Sequence, residues 1–281
     1  MNTTYIYCDG GFGNRFNSLL SGLFLSWACD YEPKVIWPEN NWCRANFKSL
    51  FDTDVPSVDF DAATFFLEND TANFMHWNPF PHNLPVVNPM GIYCSISDFV
   101  RSLEGKDVFF YTSLICPWVD RNNIHRQVHQ VPFQSTILTR ASQVIQDHCG
   151  SREFKGIHLR STDHANPADP EKFLNLVAAN PDQMFFICSD SADVESKFKQ
   201  YANTFTYEKT HYVEKLVEGG WTTMITDSTG AQFPFNVDRS SDSVVQAMVD
   251  LTILSRSTLV DTDFKSTFLQ TAKLLQDCKI A

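Results

Sequence analysis

Apolar residues at Phe16, Leu19, Leu20, Leu23, Phe24 and Trp27 recur at i, i+3, i+4, i+7, i+8 and i+11. That spacing predicts one face of an amphipathic helix. A strand-like run at residues 5–9 and the loop Gly10-Gly11-Phe12-Gly13-Asn14-Arg15 precede it, and residues 34–37 read as a second strand stopped by Pro38. Strand, glycine-rich turn, helix and strand make a β-α-β unit, so the chain opens as an α/β domain. From about 40 to 89 the pattern breaks into mixed Asp, Asn, Pro and aromatic residues, which predicts short helices and long loops. Residues 107–116 return to a strand pattern ended by Pro117, and 134–148 read as a helix closing at Gly150.

The second half alternates more cleanly. Strands are expected at 154–160, 184–188, 204–207 and 258–260. Helices are expected at 170–179, 192–201 and 242–256, with a last helix starting at Ser266. Repeated strand-helix alternation implies a mainly parallel, doubly wound sheet. Two such sheets, over residues 1–135 and 136–281 with a cleft between them, are the expected architecture, and the last helix is placed to pack back on the first domain.

Within the strand at 154–160, Ile157 and Leu159 alternate with His158, Arg160 and Thr162, and Asp163 follows at once. A period of two turns the first pair into a core and the polar residues the opposite way. Ligands of open α/β sheets bind outside the carboxyl ends of strands. Arginine there, with its planar fork of donors, suits phosphate. An Arg160–Asp163 ion pair beside a structural histidine is the plainer account, and the stretch alone does not decide between them.

Composition narrows the choice. Of 281 residues, 43% are hydrophobic and 24 are phenylalanine, ample for a globular core, while the net charge is −11. An acidic surface argues against non-specific nucleic-acid or anionic-lipid binding, so an anionic ligand would need a local basic pocket. No apolar run approaches the ~20 residues of a membrane span, and no signal-peptide pattern opens the chain, so a soluble, cytoplasmic protein is expected. The eight cysteines form no zinc spacing and are expected as free thiols.

Other candidates carry plainer readings too. The Gly10–Arg15 loop could cradle an anion at a helix start, or be a turn needing positive φ. Asp190 ends an apolar strand, where it could bind ribose or cap the next helix. Asp250 lies between Val249 and Leu251, where it is either a buried carboxylate needing a partner or part of a solvated face. Ser266 is placed as an N-cap, with or without a phosphate. Asp52-Thr53-Asp54 and Asp261-Thr262-Asp263 have DxD spacing, but metal use is not favoured.

The ordered set resembles a known family. The loop from Gly10 to Arg15 is similar to the glycine-rich opening of fucosyltransferases. His158-x-Arg160-x-Thr162-Asp163 resembles the HxRxTD motif of the α1,6-fucosyltransferase and rhizobial nodulation fucosyltransferase group. Phe186 to Asp190, Val249-Asp250-Leu251 and Val260 to Ser266 resemble that group's later blocks. The resemblance implies a GT-B fold of two Rossmann-like domains, acceptor side first and donor side second. It also implies inverting transfer of fucose from GDP-fucose to a glycan hydroxyl, with no metal or other cofactor. In it Arg160 stabilises the departing diphosphate. His158, Thr162, Asp190, Asp250 and Ser266 hold the nucleotide, Asp250 by accepting guanine N–H groups, and Gly13, Asn14 and Arg15 line the site from the other domain. The group's lysine and glutamate after TD fall here on His164 and Ala168, which makes Asp169 and Asp163 the candidate bases. Another nucleotide sugar as donor, or a non-catalytic nucleotide- or glycan-binding protein, are the open alternatives.

Overall fold

The computed structural model describes residues 1–69, 71–75, 103, 105–116, 118–162, 169–226, 232–233, 235–260 and 266–279. The chain is mixed α/β and divides into two compact units: residues 1–39 with 46–132, and 40–45 with 133–281.

In the first unit β1 (Thr3–Tyr7) leads into α1 (Phe12–Cys29) and returns as β2 (Glu32–Ile36). Then come α2 (Phe47–Leu50), α3 (Ala62–Glu68), β3 (Thr71–Met75), β4 (Asp107–Tyr111) and α4 (Arg121–Gln130). The sheet order is β2-β1-β4-β3, all parallel. On one face Tyr7, Ile36, Phe109 and Tyr111 pack with Phe60, Phe65 and Phe66. On the other, α1 crosses β1 so closely that a Cβ on Gly22 would come within 2.5 Å of Ile6 Cγ2.

The polar side of α1 is bonded rather than solvated. Ser18 Oγ donates to Tyr7 O at 2.7 Å, Ser21 Oγ accepts from Cys116 N at 3.1 Å, and Asn17 Nδ2 donates to Ser113 O at 3.0 Å. Trp27 departs from the expected apolar face, since it is 47% exposed and lies under the Arg126 guanidinium at 4.6 Å. A cation over the ring stabilises it where burial does not.

The second unit runs α5 (Ser135–His148), β5 (Phe154–Leu159), α6 (Pro170–Ala178), β6 (Met184–Ser189), α7 (Ala192–Phe198) and β7 (Thr204–Phe205). It continues with a two-stranded antiparallel ribbon, β8 (Ile225–Thr226) and β9 (Gln232–Phe233), then α8 (Ser241–Ser255), β10 (Thr258–Leu259) and α9 (Thr267–Asp277). Its parallel sheet is ordered β10-β5-β6-β7. Ile157, Leu159, Phe185 and Ile187 meet Phe173, Leu174, Val177, Val194 and Phe198 of α6 and α7 on one face. Gly156 faces the other way, toward Leu254 and Ser257 at the end of α8. The sheet is thus covered on both sides.

The close approach at Gly22 makes a test. Gly22→Ala should gain up to about 1 kcal/mol of helix propensity yet lose net stability by about 1–3 kcal/mol through overpacking against Ile6. Urea unfolding checks it, and an unchanged or higher midpoint would show that α1 and β1 separate without cost.

Candidate functional site

Because β5 and β6 are adjacent and parallel, with His158 opposite Cys188 and Leu159 opposite Ser189, their carboxyl ends lie side by side. The loops leaving them are tied by one carboxylate. Asp190 Oδ1 accepts from Ser161 N at 2.8 Å and Ser161 Oγ at 3.1 Å, and Oδ2 accepts from Thr162 Oγ1 at 2.6 Å. Ser189 Oγ adds a bond to Leu159 O at 2.7 Å. Asp190 is therefore a loop clamp; the helix cap of α7 is Ser191. Arg160, half-buried, leaves the sheet between Leu159 and this clamp. Such clamping fixes the backbone on both sides of Arg160.

His158 stacks on Phe268 of α9, ring centroids 5.1 Å apart and planes at 28°. Burial pushes its imidazole down to about 4. The nearby Asp190 carboxylate opposes that shift, and the Arg160 and Lys209 cations add to it. His158 is neutral at pH 7, able to donate or accept a hydrogen bond but supplying no charge.

Behind the strand ends lies a buried ion cluster. Lys209 Nζ sits 2.5 Å from Asp250 Oδ2 and 2.5 Å from Glu195 Oε1, and donates to Ser189 O at 2.8 Å. Ser189 N donates to Glu195 Oε1 at 2.9 Å and Tyr212 Oη to Glu195 Oε2 at 2.7 Å. Burial works against the ammonium, but the carboxylates of Asp250 and Glu195 outweigh it and hold the Lys209 pKa above its ordinary value. Asp250 is 2% exposed. Burial raises its pKa to about 6, with Lys209 pulling down and Glu195 pushing up. The solvated-face reading of Asp250 is thereby replaced by that of a paired interior carboxylate. Its other oxygen, Oδ1, is enclosed and has no hydrogen-bond partner among the described residues. Ser266 Oγ is likewise enclosed and unpartnered: Ser266 is the N-cap of α9, but its hydroxyl makes no capping bond. A buried polar atom left unpaired costs about 1–3 kcal/mol, so a partner for either oxygen would be favourable.

The glycine-rich loop sits in the first unit. Gly10 has φ +81, the left-handed turn that glycine adopts without strain. Gly11 is the N-cap of α1, and Gly13 and Asn14 lie in its first turn. Arg15 is fully buried. Its Nε donates to Gly10 O and Nη1 to Pro38 O, both at 2.7 Å, and Trp37 lies 5.1 Å from the guanidinium. Asp9 is 3.7 Å from Nη2. The Arg15 side chain is thus enclosed and held by the loop carbonyls, bracing the loop from beneath in the ligand-free chain.

Overall the chain aligns with solved structures of the fucosyltransferase NodZ from Bradyrhizobium at 17% identity, covering 98% of this chain and 93% of that one with a TM-score of 0.58. A NodZ α-1,6-fucosyltransferase structure soaked with GDP-fucose matches at 17% identity, 98% and 92% coverage and TM-score 0.60. A POFUT1 complex with GDP matches at 14% identity, 98% and 96% coverage and TM-score 0.50. The fold is that of solved fucosyltransferases. Identity this low carries the fold and no more. No protein-family model matches the sequence, and no curated protein is similar to it. The α/β fold that the motif resemblance implies is the fold of these solved structures over nearly the whole chain.

Of the expected site residues, the fold gathers His158, Arg160, Thr162 and Asp190 at one strand edge, with Phe268 tying the start of α9, and so the Ser266 neighbourhood, to His158. Asp250 reaches the same region through Lys209 and Ser189. Asp169 is exposed and caps α6, its Oδ1 accepting from Glu171 N at 3.0 Å. Asp163, His164, Ala168 and the 261–263 segment lie outside the described residues. Sequence reasoning missed Ser161, Glu195, Lys209 and Tyr212. Glu195 sits in the first turn of a helix, where an acid is ordinary. Lys209 lies in an irregular loop, 41 positions from Asp250, and no local pattern pairs them. Among the described residues no His, Cys, Asp and Glu cluster could hold a metal ion, and no helix is long and apolar enough to cross a membrane.

The two perturbed groups give opposite pH signatures. His158 has a depressed folded pKa, so its contribution is full above about pH 6.5 and is lost as pH falls through about 4. Asp250 has a raised one, so its contribution is full below about pH 4 and is lost as pH rises through about 6. His158→Gln removes only the first. Relative to wild type, its unfolding free energy in urea should improve by on the order of 2–3 kcal/mol between pH 7 and pH 4. A difference that stays constant over that range would show that His158 is not held neutral.

Proposed function

We propose that the chain is a glycosyltransferase that moves fucose from GDP-fucose to a glycan hydroxyl, inverting the anomeric centre without a metal. The observation that carries this reading is Arg160 at the carboxyl end of β5, held between the sheet and the Asp190 clamp, on a fold shared with NodZ. In this reading the two units correspond to the two Rossmann-like domains of a GT-B transferase, the donor held by residues 136–281.

The chemistry follows from charge. The acceptor hydroxyl attacks the anomeric carbon, the bond to the diphosphate breaks, and negative charge develops on the leaving oxygen. A fixed guanidinium opposite that charge lowers the barrier, with one such interaction worth about 10²–10³ in rate. The N–H groups at the start of α9 and the Ser266 hydroxyl are placed to bind phosphate oxygens. Neutral His158 hydrogen-bonds the donor, and Asp250 Oδ1 accepts from the nucleobase. The acceptor's proton goes to a carboxylate, Asp169 or Asp163, a transfer worth about 10²–10⁴. Asp169 already caps α6. That favours, as the second reading, a nucleotide- or glycan-binding protein without a base.

GDP should raise the melting temperature by several degrees, UDP and ADP should not, and Arg160→Ala should abolish most of the GDP shift. A response to UDP but not GDP would overturn the fucose donor. GDP-fucose turnover over an oligosaccharide panel is expected to fall about 10²–10⁴-fold in whichever of Asp169→Ala and Asp163→Ala removes the base. Absence of both transfer and donor hydrolysis in the wild type would leave the binding-protein reading.

A further inference from the structure

The buried ammonium of Lys209 has no part in the proposed transfer, yet three elements converge on it. Asp250 comes from α8, Glu195 from α7 and the Ser189 carbonyl from the end of β6. The side chains of all three ions are within 4% of full burial. One cation between two carboxylates leaves the cluster one negative charge in excess, and among the described residues Asp250 Oδ1 has no nitrogen or hydroxyl donor, the weakly donating Cys188 thiol being the other polar group against that carboxyl. Glu195 is saturated: Oε1 takes Ser189 N and Lys209 Nζ, and Oε2 takes the Tyr212 hydroxyl. Oδ2 of Asp250 is taken by Lys209.

We propose that Lys209 is a positioning residue for nucleobase recognition: by holding Asp250 Oδ2, with Glu195 as its anchor, it leaves Oδ1 as the acceptor for a base N–H. This rests on the reading of residues 136–281 as a donor-binding unit. The arrangement selects for a base that presents N–H donors at its edge, because an edge that presents only acceptors would face Oδ1 with repulsion and leave it unpaired. The aspartate is thus one end of a relay, and the strength of the base contact is set two residues away, at Glu195.

Groups facing the cluster fix the direction of its response. Glu195 of α7 raises the Asp250 pKa and Lys209 lowers it, the Cys188 thiol of β6 lies against Asp250, and Tyr207, Tyr212 and His158 are further titratable neighbours. Tyr207 in turn carries Arg140 5.2 Å from its ring. Removing the cation and removing the competing anion must therefore shift Asp250 in opposite directions.

The test is a pair of variants read in two ways. In Lys209→Met the Asp250 carboxyl should titrate about one unit or more higher, and in Glu195→Gln correspondingly lower. Carbon-13 NMR of the Asp250 side chain in ligand-free protein measures both, with the wild-type midpoint expected near 6. GDP affinity, measured by calorimetry from pH 5 to 8, should lose strength on the acid side of each midpoint. The acid limb should follow the same order, Lys209→Met highest and Glu195→Gln lowest, with the affinity above pH 7.5 restored more nearly by Lys209→Arg than by Lys209→Met. Carboxyl midpoints that do not move in opposite directions would overturn the positioning role. So would a wild-type Asp250 titrating at or below 4, a result that stands even if Lys209→Met does not fold. Carboxyl midpoints that move while the GDP limb stays put would keep the relay and remove the nucleobase as its ligand. Wild-type protein that binds no nucleotide at all would instead sink the donor-site reading on which the inference depends.

Discussion

The paired register of β5 and β6 is the constraint on which the site depends. A one-residue slip would send every side chain of one strand to the opposite face. Ile157, Leu159, Phe185 and Ile187 fill the face under α6 and α7, and burying four such side chains fixes the register. The same alternation then has no freedom left for the residues between them. Gly156 must face α8, where a Cβ would lie 2.1 Å from Ser257 Oγ, and His158 and Cys188 must share the face opposite the core. The apolar residues place the polar ones.

Once the strand ends are aligned, the loops beyond them need fixing, and the protein does this with carboxylates rather than with packing. Asp190 gathers both loops through three hydrogen bonds, and Glu195 accepts the backbone N–H of Ser189 while gripping Lys209. Breaking a buried ion pair by deleting one partner leaves an uncompensated charge, typically about 3–5 kcal/mol. The cluster is thus rigid because the alternatives to it are costly. It spends stability on orientation, and α8 contributes to the site through Asp250 although it lies on the far side of the sheet from α6.

How much of this could be read in the sequence follows from the range of each interaction. The helix α1, the strands β5 and β6 and the helices α5, α6 and α8 announce themselves through local periodicity, and their predicted ends fall within one residue or a few of the observed ones. The strand β3, an edge strand of sequence TANFM, and α4, with Ile124 and Val128 its only aliphatic residues, carry too little pattern to be seen. His158, Arg160 and Asp190 were visible because strand ends mark themselves by a change from apolar to polar. Asp250 was visible as an oddity, a carboxylate in an apolar helix, but its partner was not. Lys209 and Glu195 look like ordinary surface residues until the fold buries them together, with Lys209 Nζ donating to both Glu195 Oε1 and Asp250 Oδ2. Arg15 shows the reverse: an arginine after three glycines suggests an anion site, and only the carbonyls of Gly10 and Pro38 reveal an interior strut.

Charge accounting sharpens what the site can do. The chain carries eleven more acidic than basic groups, so a polyanion such as a nucleoside diphosphate approaches an unfavourable field and must be met locally. Lys209 cannot meet it, because two carboxylates already hold its ammonium. His158 cannot, because burial keeps its imidazole neutral at pH 7. In the proposed reading the charge opposite a diphosphate is that of Arg160, assisted by the partial positive charge at the start of α9. In the proposed reading the second unit's buried cluster keeps a single excess negative charge, since any more would repel the nucleotide it is proposed to hold.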